Sequence, residues 1–155
     1  DQAQESFKAA INMAKKASNK KIKILGSIAP LEDCYMPELF PEVKEATKEF
    51  EEIGNMFYDS DIDYFILETM NSTIETETCL DAISQFNIPI WVSLNLKDSL
   101  HIKSGEKIKD TINIIKNFPV ETILLNCNPL MRTIRASREI KTHWSQMLFL
   151  SYLGV

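Results

Sequence analysis

ETILLNCNPL, Glu121 to Leu130, is the stretch on which the fold turns. Its apolar run, Ile123 to Leu125, has the composition of a buried strand. The run stops on Asn126 and Cys127, and Asn128-Pro129 then breaks it. An apolar strand whose polarity returns only at its carboxyl end is covered on both faces, which is the habit of parallel sheets. The layout recurs along the chain. KIKILGSI (21–28) becomes apolar before Ser27 and is stopped by Gly26 and Pro30; DYFILE (63–68) regains charge at Glu68; PIWVSLN (89–95) ends on Ser93 and Asn95; MLFLSYL (147–153) is one more buried run.

Between these runs the apolar spacing changes from strand to helix. Phe7, Ala10, Ile11 and Ala14 repeat at i, i+3, i+4, i+7 within residues 1–18. Residues 42–58 set Val43, Ala46, Phe50, Ile53 and Phe57 on one stripe, with Glu and Lys on a solvated face. After Asn71 or Ser72 as cap, Cys79, Ala82, Ile83 and Phe86 form the next stripe. Residues 107–118 carry Ile108, Thr111, Ile112 and Ile115 and end at Pro119, and residues 130–144 form the last helix. Five strands alternating with helices require parallel pairing through right-handed crossovers, so the class is α/β. With four glycines in all, neither GxGxxG nor a P-loop occurs, which removes the phosphate-cradling versions of an open sheet. Polar residues at the carboxyl ends of successive strands favour a βα barrel, where such ends converge on one mouth. A closed (β/α)8 TIM barrel needs eight strands and about 200–250 residues. The expectation is therefore a partial barrel, with residues 1–155 as a single domain.

A 155-residue chain that is 45% hydrophobic and 25% charged can bury an ordinary core. The net charge of -5 and the lack of a Lys/Arg stripe argue against nucleic acid as a partner. No apolar run approaches the roughly 18–20 residues of a membrane span, and DQAQESFKAA lacks the layout of a signal peptide, so the expected setting is cytoplasmic and off the membrane. No residue pattern fixes an oligomeric state.

Three cysteines at wide spacings, Cys34, Cys79 and Cys127, make neither a disulfide framework nor a CxxC knuckle. Cys79 lies on an apolar helix stripe and is read as core; Cys34 sits in the loop APLEDCYMPELFP with its role open. Cysteine is ordinarily buried. Cys127 departs from that habit because the apolar run ends before it, which places its thiol at the strand's mouth. Zinc wants about four ligands, about three of them protein in a catalytic site. His101 and His143 have no ligand spacing and are read as loop or surface residues. Glu68 ends an apolar strand and must face a cation, a donor or solvent. Trp91 offers either a core ring or a π-face for a cationic methyl group.

Four stretches in order resemble the homocysteine S-methyltransferase family: LGSIAPLEDCYMPEL its Gly-Ser-Ile/Val-x-Pro motif with a following Tyr, DYFILETM its Glu-Thr signature, PIWVSLNLKDSLHIKSGEKI its next strand and loop, and LLNCNP its Asn-Cys strand. The resemblance implies a zinc-dependent barrel enzyme that moves a methyl group onto the sulfur of homocysteine, giving methionine. It assigns Cys127 as the first of three zinc thiolates and Glu68 as the group that holds the substrate's amino group, and it places Asn126 beside the substrate. The implied partners are homocysteine and a small sulfonium or ammonium methyl donor, S-methylmethionine, S-adenosylmethionine or betaine, with DSLHIKSGE resembling the sulfonium-using branch. The family's adjacent cysteine pair and its glycine-rich first loop have no counterpart here. The strands correspond to about the third through seventh of eight, so the expectation is an internal piece of a longer protein, inactive alone. Two other readings stay open: a non-catalytic α/β interaction module in which Cys127 is a structural thiol, and a barrel enzyme that uses Glu68 as acid or base without metal.

Overall fold

The computed structural model describes residues 2–19 and 21–150. Its helices are α1 (Gln2–Ser18), α2 (Val43–Tyr58), α3 (Thr73–Ile83), α4 (Ile108–Ile115) and α5 (Leu130–His143). Its strands are β1 (Leu25–Ile28), β2 (Tyr64–Met70), β3 (Ile90–Leu94), β4 (Val120–Leu125) and β5 (Met147–Leu150). All four strand pairings are parallel and the spatial order is β1-β2-β3-β4-β5, the sequence order itself. An open doubly wound sheet reverses its strand order at a switch point. This sheet does not reverse, and its α/β units form a partial (β/α)8 barrel.

Burial alternates along the strands as that architecture requires. Phe65 and Leu67 of β2, Ile90, Val92 and Leu94 of β3, and Ile123 and Leu125 of β4 are buried in the helix-side core. Each such side chain contributes about 1.5–3 kcal/mol. The opposite face carries Ser27, Tyr64, Ile66, Glu68 and Trp91, which are half-buried or exposed. Trp91 is therefore not core: its ring lies 5.2 Å from that of Tyr64 on this second face.

The helix layer follows from the apolar stripes. Ala46, Phe50, Gly54 and Phe57 are the buried side of α2, while Lys44, Glu45, Lys48 and Glu49 face solvent. Phe57 joins α1 to the sheet through edge contacts with Phe7 at 4.8 Å and Phe65 at 6.2 Å. Ser72 caps α3 by accepting the Glu75 N–H. The helix gives way to a 3-10 turn over Ser84–Phe86 that stops at Asn87 with φ 52°, so Phe86 keeps its place on the stripe without belonging to the α-helix. Strand β1 begins at Leu25 and not at Lys21. Leu25 pairs with the first residue of β2, Tyr64, and the Asp63 carboxylate takes the Ile24 N–H at 2.8 Å and Lys23 Nζ at 2.7 Å. The last strand was expected through 153; residues 151–153 lie outside the described residues. No helix among the described residues is long and apolar enough to cross a membrane.

Candidate functional site

The carboxyl ends of β1 to β4 come together at one rim. Glu68 is exposed there, and Ser27 Oγ donates to its carboxylate. The next residue, Thr69, has φ 61°, and Cys127, just past β4, has φ 54°. Such a conformation costs a non-glycine residue on the order of 1–3 kcal/mol, most of all a β-branched one. Both residues are held there by one carboxamide. Asn126 Nδ2 donates to Thr69 Oγ1 at 2.7 Å and toward Cys127 Sγ at 3.5 Å, while its Oδ1 accepts from Ser93 Oγ at 2.7 Å. Asn126, Ser93 and Thr69 are all buried, so this polar set ties β2, β3 and β4 together where their ladders end. Thr69 Oγ1 is 4.0 Å from Cys127 Sγ.

Cys127 is half-exposed, and a hydroxyl and a carboxamide lie beside its sulfur. It is not a core thiol. Cys79 is one: it is fully buried in α3, and burial pushes its thiol well above the ordinary value. Cys34, left open by the sequence, lies in the β1–α2 loop within reach of Cys127's charge. Burial first, then Asp33 and Cys127, raises its thiol. The adjacent Tyr35 faces Cys127, whose charge and hydrogen bond hold the phenol above its ordinary value.

The β1–α2 loop is fastened over the rim at two points. Asn95 Nδ2 donates to the Cys34 carbonyl at 3.4 Å, and the Leu31 N–H donates to Glu75 Oε1 at 3.1 Å. Glu75 is the fourth residue of a Ser-x-x-Glu box, and its carboxylate reaches the loop instead of only closing the helix end. It is buried, and burial raises its pKa against the opposing pull of the Leu31 N–H. The β3–α4 loop is fixed by Asn128, which accepts the Leu96 N–H at 2.8 Å and donates to the Leu94 carbonyl at 3.2 Å, and by Arg132 on the Leu96 carbonyl at 2.7 Å.

The structure therefore brings Glu68, Asn126 and Cys127 to one rim. His101 and His143 are elsewhere engaged, with Asp98 at 2.9 Å and Glu139 at 3.0 Å. The sequence assigns no role of their own to Thr69, Tyr35, Lys103 or Asn95, which the structure places at or beside this rim. The Glu-Thr pair was the one available signal for Thr69. Cys127 offers a half-exposed sulfur at the rim, with the Asn126 carboxamide and the Thr69 hydroxyl beside it. Among the described residues no group of three or more His, Cys, Asp or Glu could hold a metal ion.

The fold has counterparts among known proteins. The fold matches the homocysteine methyltransferase MmuM from Escherichia coli in its metallated form with a TM-score of 0.91 at 18% identity, covering 97% of this chain and 58% of that one. Its apo form matches with a TM-score of 0.87. Homocysteine S-methyltransferase 2 of Arabidopsis thaliana is 34% identical over 74 residues, which are 46% of this chain and 22% of that protein. Homocysteine S-methyltransferase 2 of Zea mays is 33% identical over 70 residues, 43% of this chain and 21% of that protein. The matched residues thus span less than two thirds of each relative's length. The family profile for homocysteine S-methyltransferase matches residues 1–152, which contain all five strands and the whole rim just described, and the chain belongs to that family.

Proposed function

We propose that the protein acts in transferring a methyl group from a sulfonium or ammonium donor, S-methylmethionine, S-adenosylmethionine or betaine, to the thiol of homocysteine. The observation that carries this reading is Cys127 Sγ on an open strand end among polar groups, on the rim that also presents Glu68. The metallated relative supports a metal at Cys127, and zinc suits its thiolate. Zinc supplies one thing there: it lowers the pKa of a thiol so that the reactive anion exists at neutral pH.

The chain's own residues bind and orient. Glu68 accepts the substrate's α-ammonium, with Ser27 fixing the carboxylate by a hydrogen bond. Asn126 lines the homocysteine side of the rim while its carboxamide holds Thr69 and Cys127. The substrate sulfur, having lost its proton to solvent, forms a bond to the donor's methyl carbon. The carbon's bond to the donor breaks, and its electron pair leaves the donor a neutral thioether or amine. Nothing in this displacement requires a general base at the carbon, so positioning supplies most of the rate. In this reading residues 1–155 are one partial barrel domain working in a cytoplasmic setting. The further metal thiolates come from outside these residues, and the domain by itself is inactive.

The test is zinc content and homocysteine methylation of the full-length protein beside its Cys127→Ser form. Loss of both, with Cys79→Ala retaining both, is expected. A Cys127→Ser protein that keeps stoichiometric zinc and full activity overturns the assignment.

A further inference from the structure

We propose that Lys103 is a carboxylate anchor that selects amino-acid ligands at this rim. Lys103 stands in the turn Ile102 to Gly105, closed by the Gly105 N–H on the Ile102 carbonyl at 2.9 Å, with Gly105 at φ 108°. Its backbone is tied to the strand ends on both sides. The Lys103 N–H donates to the Asn95 carbonyl at 3.0 Å, and the Ser104 N–H donates to the Asn71 carbonyl at 2.9 Å. The turn is braced again by Ile102 N–H on the Glu106 carbonyl at 3.0 Å and by the bridge between Leu96 and Ile102. A lysine on a free loop spreads its ammonium over a large volume. Here the Cα is fixed above the ends of β2 and β3.

The side chain turns toward the site. Lys103 Nζ lies 5.6 Å from the centroid of the Tyr35 ring, and Tyr35 sits on the β1–α2 loop that Asn95 Nδ2 fastens to the rim through the Cys34 carbonyl at 3.4 Å. Among the described residues Lys103 makes no ion pair, although the chain carries an excess of acids. A cation–π contact leaves most of an ammonium's hydrogen-bonding capacity unused. The rim therefore presents a carboxylate, Glu68, a sulfur, Cys127, and an ammonium, Lys103, from three segments. A zwitterionic amino acid with a sulfur group matches all three: its ammonium at Glu68, its sulfur at Cys127 and its carboxylate at Lys103.

This assignment rests on the function proposed above and adds the group that reads the carboxylate. That carboxylate belongs either to homocysteine or to an amino-acid methyl donor, and two arms separate them. The first compares equilibrium binding of homocysteine with that of 3-aminopropane-1-thiol, which lacks only the carboxylate. The second compares KM for S-methylmethionine with KM for trimethylsulfonium. Both use the full-length metallated protein, its Lys103→Met form and its Lys103→Arg form. The wild-type protein is expected to favour the carboxylate-bearing ligand of one arm. Lys103→Met is expected to lose about fivefold of that preference, the scale of a partly exposed ion pair. Lys103→Arg is expected to keep it, and raised salt to narrow it. An unchanged preference in Lys103→Met in both arms, with methylation intact, overturns the Lys103 assignment alone. A wild-type protein that binds neither thiol and methylates neither overturns the functional reading and the anchor together.

Discussion

Replacing Asn126 by alanine tests whether one carboxamide holds the rim together. The substitution removes the bonds to Ser93 Oγ at 2.7 Å, to Thr69 Oγ1 at 2.7 Å and toward Cys127 Sγ at 3.5 Å. Ser93 is 2% exposed and Thr69 9%, so water reaches neither hydroxyl without opening the strand ends. A buried polar group left unpaired costs about 1–3 kcal/mol. Two such groups, less what the hydroxyls regain by rotating toward backbone carbonyls, give a loss of about 2–4 kcal/mol. With a urea dependence of about 1–3 kcal/mol/M for a domain of this size, the unfolding midpoint should fall by roughly 1–2 M. A second readout follows from the strain. Cys127 is kept at φ 54° by its neighbours, so Asn126→Ala should relax it and speed its reaction with an aromatic disulfide reagent. Asn126→Asp should do the reverse to the thiol, because it keeps the acceptor for Ser93 but sets a carboxylate beside the sulfur. A midpoint that moves by less than about 0.3 M, as a neutral surface change does, with equal Cys127 reactivity in all three proteins, would refute the reasoning.

Two further outcomes follow from buried groups. Burial raises Glu75 above its ordinary value of 4.5, so the folded protein holds this proton more tightly than the unfolded chain. The stability it contributes is complete below the unfolded value and is lost as pH rises through the raised folded value. Glu75→Gln keeps an oxygen for the Leu31 N–H and removes the titration, so it should gain thermal stability over the wild type at pH 8 and lose that gain at pH 4; a constant difference across this range contradicts the assignment. A Cβ on Gly26 would lie 2.7 Å from Ile62 Cδ1 and 2.7 Å from Phe57 Cδ1, both in the core. Gly26→Ala should cost about 1–3 kcal/mol in calorimetry, and an unchanged melting temperature would show that Phe57 yields freely.

The parts of the fold that were legible in the sequence are those where one physical cause dominates. The apolar interiors of β2, β3 and β4 show as runs because both faces of a parallel strand are covered. The start of β1 was not legible. The Lys/Ile alternation of residues 21–24 has the period of a strand, yet a strand exists only where a partner does, and β2 offers none before Tyr64. Phe86 kept helical spacing through a 3-10 turn because both helix types bring i and i+3 to nearly one side. The positions of Glu68 and Cys127 at the rim could be read because each breaks an apolar run at its carboxyl end. Tyr35, Thr69 and Lys103 could not, since their importance lies in meeting across distant segments. The left-handed backbone of Thr69 gave no warning either, a β-branched residue being the last expected there.

Much of the rim is braced by uncharged side chains, with Glu75 and Arg132 as charged exceptions in the loops around it. Strand ends of a parallel sheet leave N–H and C=O groups that must be satisfied away from water. Lysine or glutamate could do this, at the cost of burying charge. Asn128 does it instead for the Leu96 N–H and the Leu94 and Asn126 carbonyls, while Asn126 joins the Thr69 and Ser93 hydroxyls and Asn95 donates to the Cys34 carbonyl of the overlying loop. Glu68 and Lys103 are thereby left out of that bracing. Glu68 is met by a hydroxyl and Lys103 by an aromatic face, contacts that orient each group without neutralising it. A rim braced by ion pairs would hold its shape equally well and would leave neither Glu68 nor Lys103 uncommitted.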